Sequence, residues 1–186
     1  MERTLRAVFL DRDGVINRCR LIAGKPYPPQ TVEELELLPG VRSACAELRR
    51  AGFMLIVVTN QPDVARGKQT LEGVQRLHAR IEQELPLDSI RMCPHDDADR
   101  CACRKPQPGM LLEAAAERHI DLTRSFMVGD RWKDIEAGRQ AGCRTVWLEN
   151  LYAETKPKYP DLTVGSLAEA VHWMVELSGQ PGGNPA

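Results

Sequence analysis

Residues 5–14, LRAVFLDRDG, place two carboxylates directly after a run of apolar residues, and this pattern decides the predicted fold. Similar β-rich runs follow along the chain at 53–58, 89–92, 125–128 and 144–148. Helical patterns lie between most of these runs, at 41–51, 70–85, 108–119 and 132–141. Continuous apolar strands that alternate with helices are typical of a parallel sheet covered on both faces. We therefore predict a doubly wound α/β fold with a mainly parallel sheet and helices on both faces.

The end of the chain predicts one more helix and a tail. Residues 166–177 can begin at a Ser166 cap and carry apolar residues at spacings suited to one helix face. The final residues, GQPGGNPA, are rich in glycine and proline, which is typical of disorder. We predict a single domain over residues 1–178 and a disordered tail over 179–186. Segment 14–40 is predicted to be a long irregular connection after the first strand.

The composition restricts the class of partner. The 186 residues include 25 basic and 26 acidic side chains, for a formal net charge of −1. Such a chain has no overall field that would gather nucleic acid or an anionic membrane, so local basic groups must hold any anionic ligand. The apolar runs are too short for a signal peptide or a membrane span. We predict a cytoplasmic monomer that acts on a small phosphorylated metabolite, without a nucleic-acid or membrane partner.

The ends of three predicted strands carry side chains suited to phosphate chemistry. Asp11 and Asp13 follow the first strand, Thr59 and Asn60 follow the second, and Asp130 follows a later one. Ligands of open α/β sheets bind at the carboxyl ends of the strands, and two neighbouring carboxylates call for a cation such as Mg²⁺. Asp11 could then attack a phosphoryl group while Asp13 acts as acid and base. For DRDG alone, the alternative is an Asp-Gly turn that closes a strand.

Two further charged residues fit such a site. Lys105 precedes a predicted helix and could neutralise phosphoryl charge, although a single lysine is usually a solvated surface residue. Asp134 is predicted either to support the metal site or to be a solvated acid at the start of a helix.

His78 lies on a predicted helix and is expected to be a helix-surface or satisfied histidine.

The stretch CPHDDADRCACRKP, residues 93–106, predicts a metal site. Cys93, His95, Cys101 and Cys103 can supply the four ligands of a tetrahedral Zn²⁺, which leaves no position for water and makes the metal structural. A disulfide and unliganded thiols are the alternatives. A reducing compartment disfavours the disulfide.

The motifs FLDRDG, VVTNQ, CRKP and VGDRWKD together resemble those of the haloacid-dehalogenase superfamily of phosphatases. The absence of a large inserted domain resembles the capless branch of that superfamily. The resemblance implies that Asp11 is the nucleophile and a Mg²⁺ ligand, and that Asp13 is the acid/base with a backbone contact to the metal. It further implies that Thr59 and Lys105 hold the phosphoryl group and that Asp130 binds Mg²⁺.

The sequence CPH followed by CACRKPQPGM is similar to the zinc loop of the heptose-bisphosphate 7-phosphatase family and the related histidinol-phosphate phosphatases. That similarity implies removal of the 7-phosphate of a heptose 1,7-bisphosphate, with histidinol phosphate as the alternative substrate. A DNA 3′-phosphatase and a non-catalytic zinc-containing binding module remain as alternatives from other classes. The predicted substrate-binding residues are Asn60, Gln61, Arg104 and Arg131. The side chains available to a second anionic group are Arg18, Arg20, Lys25, Arg66 and Arg104.

One motif departs from the family pattern. The chain reads TNQPDVARG where relatives usually read TNQSGxARG, so Pro62 removes a backbone N–H and Asp63 adds a negative charge. Any contact of a substrate with the amide of residue 62 is therefore lost.

Overall fold

The computed structural model describes residues 4–150 and 152–179, which form a central sheet with helices on both faces. Its strands are β1 (Ala7–Leu10), β2 (Arg20–Ile22), β3 (Lys25–Tyr27), β4 (Met54–Asn60), β5 (Ser89–Cys93), β6 (Phe126–Gly129), β7 (Arg144–Leu148) and β8 (Leu162–Val164). Its α-helices are α1 (Val41–Arg50), α2 (Leu71–Glu84), α3 (Gly109–Arg118), α4 (Trp132–Ala141) and α5 (Leu167–Gly179).

The main sheet has six strands in the order β5-β4-β1-β6-β7-β8, and every neighbouring pair is parallel. The strand β1 lies inside the sheet and is buried along its whole length. Because successive side chains of a strand point to opposite faces, Val8 and Leu10 join one core while Ala7 and Phe9 join the other. A strand buried on both faces must be apolar at every position, which explains the continuous run that predicted it.

The helices supply the two cores. Buried residues of α1 and α5, together with Ile81 of α2, pack in the first core, and those of α3 pack in the second. The helix α2 follows Thr70, whose hydroxyl accepts a hydrogen bond of 3.0 Å from the Gly73 N–H and so caps the helix. The predicted doubly wound α/β fold is confirmed. Among the described residues, no helix has the length and apolar character needed to cross a bilayer.

Three short strands and one helix end differ from the prediction. Segment 14–40, predicted to be irregular, contains the antiparallel hairpin of β2 and β3. Each of its strands has only three residues, mostly exposed, so no apolar run marks them in the sequence. The strand β8 is equally short. The helix α5 includes Gly179, the first residue of the predicted tail, and residues 180–186 lie outside the described part of the chain. The domain bounds of 1–178 stay a prediction.

Candidate active site

The predicted site residues at the strand ends lie together at one edge of the main sheet. Asp11 directly follows β1, which pairs with β4 on one side and β6 on the other. Thr59 lies at the end of β4 and Asp130 directly follows β6. A cleft of about 500 Å³ opens at this edge and is lined by Asp11, Asp13, Asn60, Gln61, Lys105 and Asp130 among others. The parallel topology therefore brings together residues that are far apart in the sequence.

Lys105 is the central cation of this cleft and only 2% exposed. Its Nζ donates hydrogen bonds to Asp11 Oδ1 at 2.8 Å and to the Val58 carbonyl oxygen at 2.7 Å. The same atom lies 2.6 Å from Asp134 Oδ1. Burial alone would lower the pKa of Lys105, but the charges of Asp11 and Asp134 outweigh it and raise the pKa. Lys105 is therefore a buried, charged lysine rather than a solvated one.

Asn60 holds the backbone of Lys105 in place. Its Oδ1 accepts a hydrogen bond of 3.1 Å from the Lys105 N–H, and its Nδ2 donates one of 3.0 Å to the Lys105 carbonyl oxygen. The side chain of Asn60 thus bonds to both backbone groups of one residue. This supporting role was not predicted, because it depends on a contact between positions 45 residues apart. The predicted substrate contact of Asn60 stays a prediction.

Three buried carboxylates form a group that could hold a cation. Oxygen atoms of Asp11, Asp130 and Asp134 lie within 4.8 Å of one another. Burial raises the pKa of Asp11 to about 6, against the lowering effect of Lys105. Burial also raises the pKa of Asp130, and the charges of Asp11 and Asp134 raise it further. Asp130 Oδ1 is buried and has no hydrogen-bond partner within the described chain. A crowded set of carboxylate oxygens with one orphaned atom fits Mg²⁺, which prefers such ligands.

Asp134 contacts Lys105, which the sequence did not predict, and also the start of α4. It is 2% exposed, and it lies in the first turn of α4. One carboxylate oxygen contacts Lys105 and the other accepts a hydrogen bond of 3.1 Å from the Arg131 N–H. Asp134 therefore caps the helix and positions the lysine, and the alternative of a solvated acid is wrong. Its spacing of one helical turn from Asp130 was the available signal.

The Asp13 carboxylate is held by several donors. Asn17 Nδ2 donates to Oδ1 at 2.9 Å, and Gln61 Nε2 donates to Oδ2 at 2.7 Å. Gln61 Nε2 also donates to the hydroxyl of Thr59 at 2.8 Å. Arg12 approaches both oxygens from the protein interior. Gln61 thus connects Asp13 with Thr59, while its predicted contact with a substrate stays a prediction.

The two predicted substrate-binding arginines lie in different places. Arg131 lines the cleft, where its Nε donates to Glu154 at 2.8 Å. Arg104 instead donates to Asp97 at 2.8 Å and to the His95 carbonyl oxygen at 3.2 Å. Arg104 is not among the residues that line the cleft within the described chain. In this structure Arg104 therefore braces the cysteine-containing loop rather than the cleft.

Basic side chains line the cleft, and so do Pro62 and Asp63 of the motif that differs from the family pattern. Arg20, Lys25 and Arg66 line it as expected for residues available to a second anion, whereas Arg18 pairs with Glu36 outside it. Lys68 and Lys133 line it too.

The four predicted zinc ligands converge. Neighbouring sulfur and Nδ1 atoms of Cys93, His95, Cys101 and Cys103 are separated by 3.1–3.6 Å. A tetrahedral Zn²⁺ with bonds of about 2.0–2.3 Å separates its ligand atoms by about 3.3–3.8 Å. None of the six cysteines forms a disulfide, so the disulfide alternative is wrong. The residues present fit a closed structural zinc site.

Comparisons with known proteins agree with this arrangement. A family model described as HAD-hydrolase-like matches residues 102–170. The D-glycero-β-D-manno-heptose-1,7-bisphosphate 7-phosphatase of Rhodopseudomonas palustris is 42% identical over 148 residues, which cover 73% of this chain and 79% of that protein. The protein of the same name from Helicobacter pylori is 34% identical over 183 residues, which cover 94% and 99% of the two chains. The crystal structure of D,D-heptose 1,7-bisphosphate phosphatase from B. bronchiseptica, complexed with magnesium and phosphate, has a TM-score of 0.74 and 29% identity, and the match covers 92% of this chain and 99% of that one.

Proposed function

The chain belongs to the D-glycero-β-D-manno-heptose-1,7-bisphosphate 7-phosphatase family of haloacid-dehalogenase-like hydrolases, and we propose that it removes the 7-phosphate of that sugar bisphosphate in a Mg²⁺-dependent reaction. The observation that carries the proposal is the buried Lys105, held between Asp11 and Asp134 on the wall of the cleft. Phosphoryl transfer depends on positioning and charge neutralisation, and this arrangement supplies a fixed cation beside a carboxylate.

Asp11 is the nucleophile of the proposed reaction. Lys105 binds Oδ1, so we assign Oδ2 as the attacking oxygen. A bond forms between this oxygen and phosphorus, and the bond from phosphorus to the sugar oxygen breaks while Asp13 donates a proton to that oxygen. Asp13 then accepts a proton from a water molecule that attacks the phosphorus. The bond between phosphorus and Asp11 breaks, and inorganic phosphate leaves.

Two metals support the reaction in this proposal. Asp11, Asp130 and the backbone carbonyl of Asp13 would hold Mg²⁺, which would neutralise charge on the phosphoryl oxygens. Zinc on the four clustered ligands Cys93, His95, Cys101 and Cys103 would make residues 93–103 rigid. Lys105 follows Cys103 by two residues, so a rigid loop presents the lysine without an ordering cost.

The comparisons favour a bisphosphate over histidinol phosphate as the substrate. Basic side chains from several segments line the cleft: Arg20, Lys25, Arg66, Lys68, Arg131 and Lys133. These side chains could meet a second phosphate, but acidic residues line the same cleft, and the preference for the bisphosphate rests on the relatives and the solved structure that carry that name. A DNA 3′-phosphatase would need a basic surface well beyond the cleft, which a net charge of −1 disfavours. We also propose that the enzyme acts in the cytoplasm as a monomer.

A substrate panel tests this function. The purified protein is assayed with Mg²⁺ on both anomers of heptose 1,7-bisphosphate, on the heptose 7-phosphate and on histidinol phosphate, and released phosphate is measured. We expect the bisphosphate to have the highest kcat/KM and its product to keep the 1-phosphate. Asp11→Asn should abolish phosphate release. Faster turnover of histidinol phosphate, or activity that survives Asp11→Asn, would show that the proposal is wrong.

A further inference from the structure

A buried arginine lies between the two reacting aspartates. The side chain of Arg12 is 0% exposed, and it occupies the middle position of the Asp11-Arg12-Asp13 sequence. Its Nε donates to Asp13 Oδ1 at 3.1 Å, and its Nη2 lies 2.9 Å from Asp13 Oδ2, within ion-pair distance although not aligned as a hydrogen bond. Both oxygens of one carboxylate therefore face one planar guanidinium, which restricts the rotation of the carboxylate.

The other end of the guanidinium contacts a helix. Arg12 Nη1 lies 3.1 Å from Nε2 of His78 on α2. A guanidinium has no acceptor, so Nε2 must accept the hydrogen bond and the ring proton must be on Nδ1. Burial and, to a smaller extent, the charge of Arg12 lower the pKa of His78 to about 4 against the raising effect of Asp13, so the ring is neutral near pH 7. The contact is thus a hydrogen bond to a neutral acceptor.

Burying the charged side chain of Arg12 costs free energy of folding that an apolar side chain at the same position would not cost. Moving a charged guanidinium out of water is unfavourable, and a buried ion pair is often no more stable than apolar side chains of similar volume. A position in the protein interior next to β1 could instead hold an apolar residue that packs into the core. Packing alone therefore does not account for Arg12, whereas a fixed orientation of Asp13 does.

We propose that Arg12 and His78 are positioning residues that orient the Asp13 carboxylate for proton transfer, an inference that rests on the proposed phosphatase function. Arg12 fixes the plane of the carboxylate, and His78 fixes Arg12 by accepting from its far nitrogen. Neither residue lines the cleft within the described chain, so neither contacts the substrate. They act through Asp13.

The dependence of kcat/KM on the leaving group distinguishes a positioning role of Arg12 and His78 from a purely structural one. A sugar oxygen is a poor leaving group and needs the proton from Asp13 as its bond to phosphorus breaks. The 4-nitrophenolate ion leaves without a proton. Because kcat/KM reports the steps up to the first irreversible one, a misplaced Asp13 lowers kcat/KM for a sugar phosphate but not for 4-nitrophenyl phosphate.

The test compares His78→Leu with His78→Gln in the Mg²⁺-loaded enzyme. We expect His78→Leu to lower kcat/KM for the sugar phosphate roughly tenfold, part of the roughly 10²–10⁴-fold that general acid–base catalysis supplies. The value for 4-nitrophenyl phosphate should change less than about twofold, because aryl cleavage uses no acid. His78→Gln should restore most of the loss, since the amide oxygen of glutamine can accept from Arg12. His172→Leu, at an exposed histidine of α5, is the matched control and should have no effect.

Two outcomes would overturn the inference. An equal loss with both substrates would mean that His78 only stabilises the fold, and no loss with either would mean that Asp13 needs no such support. If His78→Leu does not fold by circular dichroism, Arg12→Lys serves instead, because lysine keeps the charge but reaches only one carboxylate oxygen. The leaving-group comparison works with any alkyl phosphate that the enzyme cleaves. A failure of heptose bisphosphate as substrate is therefore seen separately in the wild-type panel.

Discussion

Replacing Lys105 with methionine tests whether the buried lysine is the charge on which the site depends. Methionine has a similar length and volume, so Lys105→Met removes the charge while it leaves little cavity. The change leaves Asp11 and Asp134 buried without the cation that lies 2.8 and 2.6 Å from them, and the Val58 carbonyl loses a donor. Removing one partner of a buried ion pair costs about 3–5 kcal/mol. That loss is a large part of the roughly 5–15 kcal/mol by which a domain is stable.

The matched control is Lys133→Met on the same cleft. Lys133 Nζ lies 3.4 Å from Asp97, and the side chains are 27% and 67% exposed. Exposed pairs of this kind contribute about 0–1 kcal/mol, so the control should unfold at nearly the wild-type urea concentration. Urea unfolding is measured in Mg²⁺-free buffer and again with added Mg²⁺. Because a divalent cation replaces the lost positive charge, Mg²⁺ should recover part of the stability of Lys105→Met but not its turnover. A loss no larger than that of the control, or no gain with Mg²⁺, would refute the reasoning.

Two further changes test the metal sites. Cys101→Ser should remove about one zinc per chain by elemental analysis and lower both the melting temperature and kcat, because Lys105 follows the cluster closely. Cys143→Ser is the control. Wild-type kinetics in the zinc-free protein would contradict the proposed effect of zinc on Lys105. Gly14→Ala should raise the Mg²⁺ concentration needed for half-maximal turnover, because the added Cβ would overlap the Asp130 carboxylate and the backbone has φ +89. Gly67→Ala is its control, since that residue has φ +66 but no neighbour within 4 Å, and an equal effect of both changes would point to backbone strain alone.

The fold could be predicted where a strand is buried on both faces. Such a strand carries a continuous apolar run, as in β1 and in residues 54–58 of β4, and the signal is strong even over four or five residues. The hairpin of β2 and β3 gives no such signal because its residues are largely exposed and one of them is Pro26. The short strand β8 has the same weakness, and it is recognised only from its pairing with β7.

The site could be predicted where chemistry is tied to a strand end. Asp11, Thr59 and Asp130 follow this rule, since parallel strands deliver their carboxyl ends to one edge. The supporting contacts could not be predicted, because they join positions that only the tertiary fold brings together. His78 lies 66 residues from Arg12, and nothing in the sequence around it differs from an ordinary helix. Asp134 was visible as a candidate, but its contact with Lys105 depends on how α4 follows β6.

Two constraints act on the position of Lys105, and both include Cys93 at the end of β5. On one side, the proposed zinc would hold Cys103, two residues before the lysine, and also Cys93 at the end of β5. On the other side, Asn60 pairs with Cys93 in the sheet register and binds the backbone of Lys105 through two hydrogen bonds. The proposed zinc, the pairing of β4 with β5 and the Asn60 side chain therefore together restrain the lysine. Loss of zinc removes only one of these restraints, so it should reduce the precision with which Lys105 meets the phosphoryl group rather than release the lysine from the cleft.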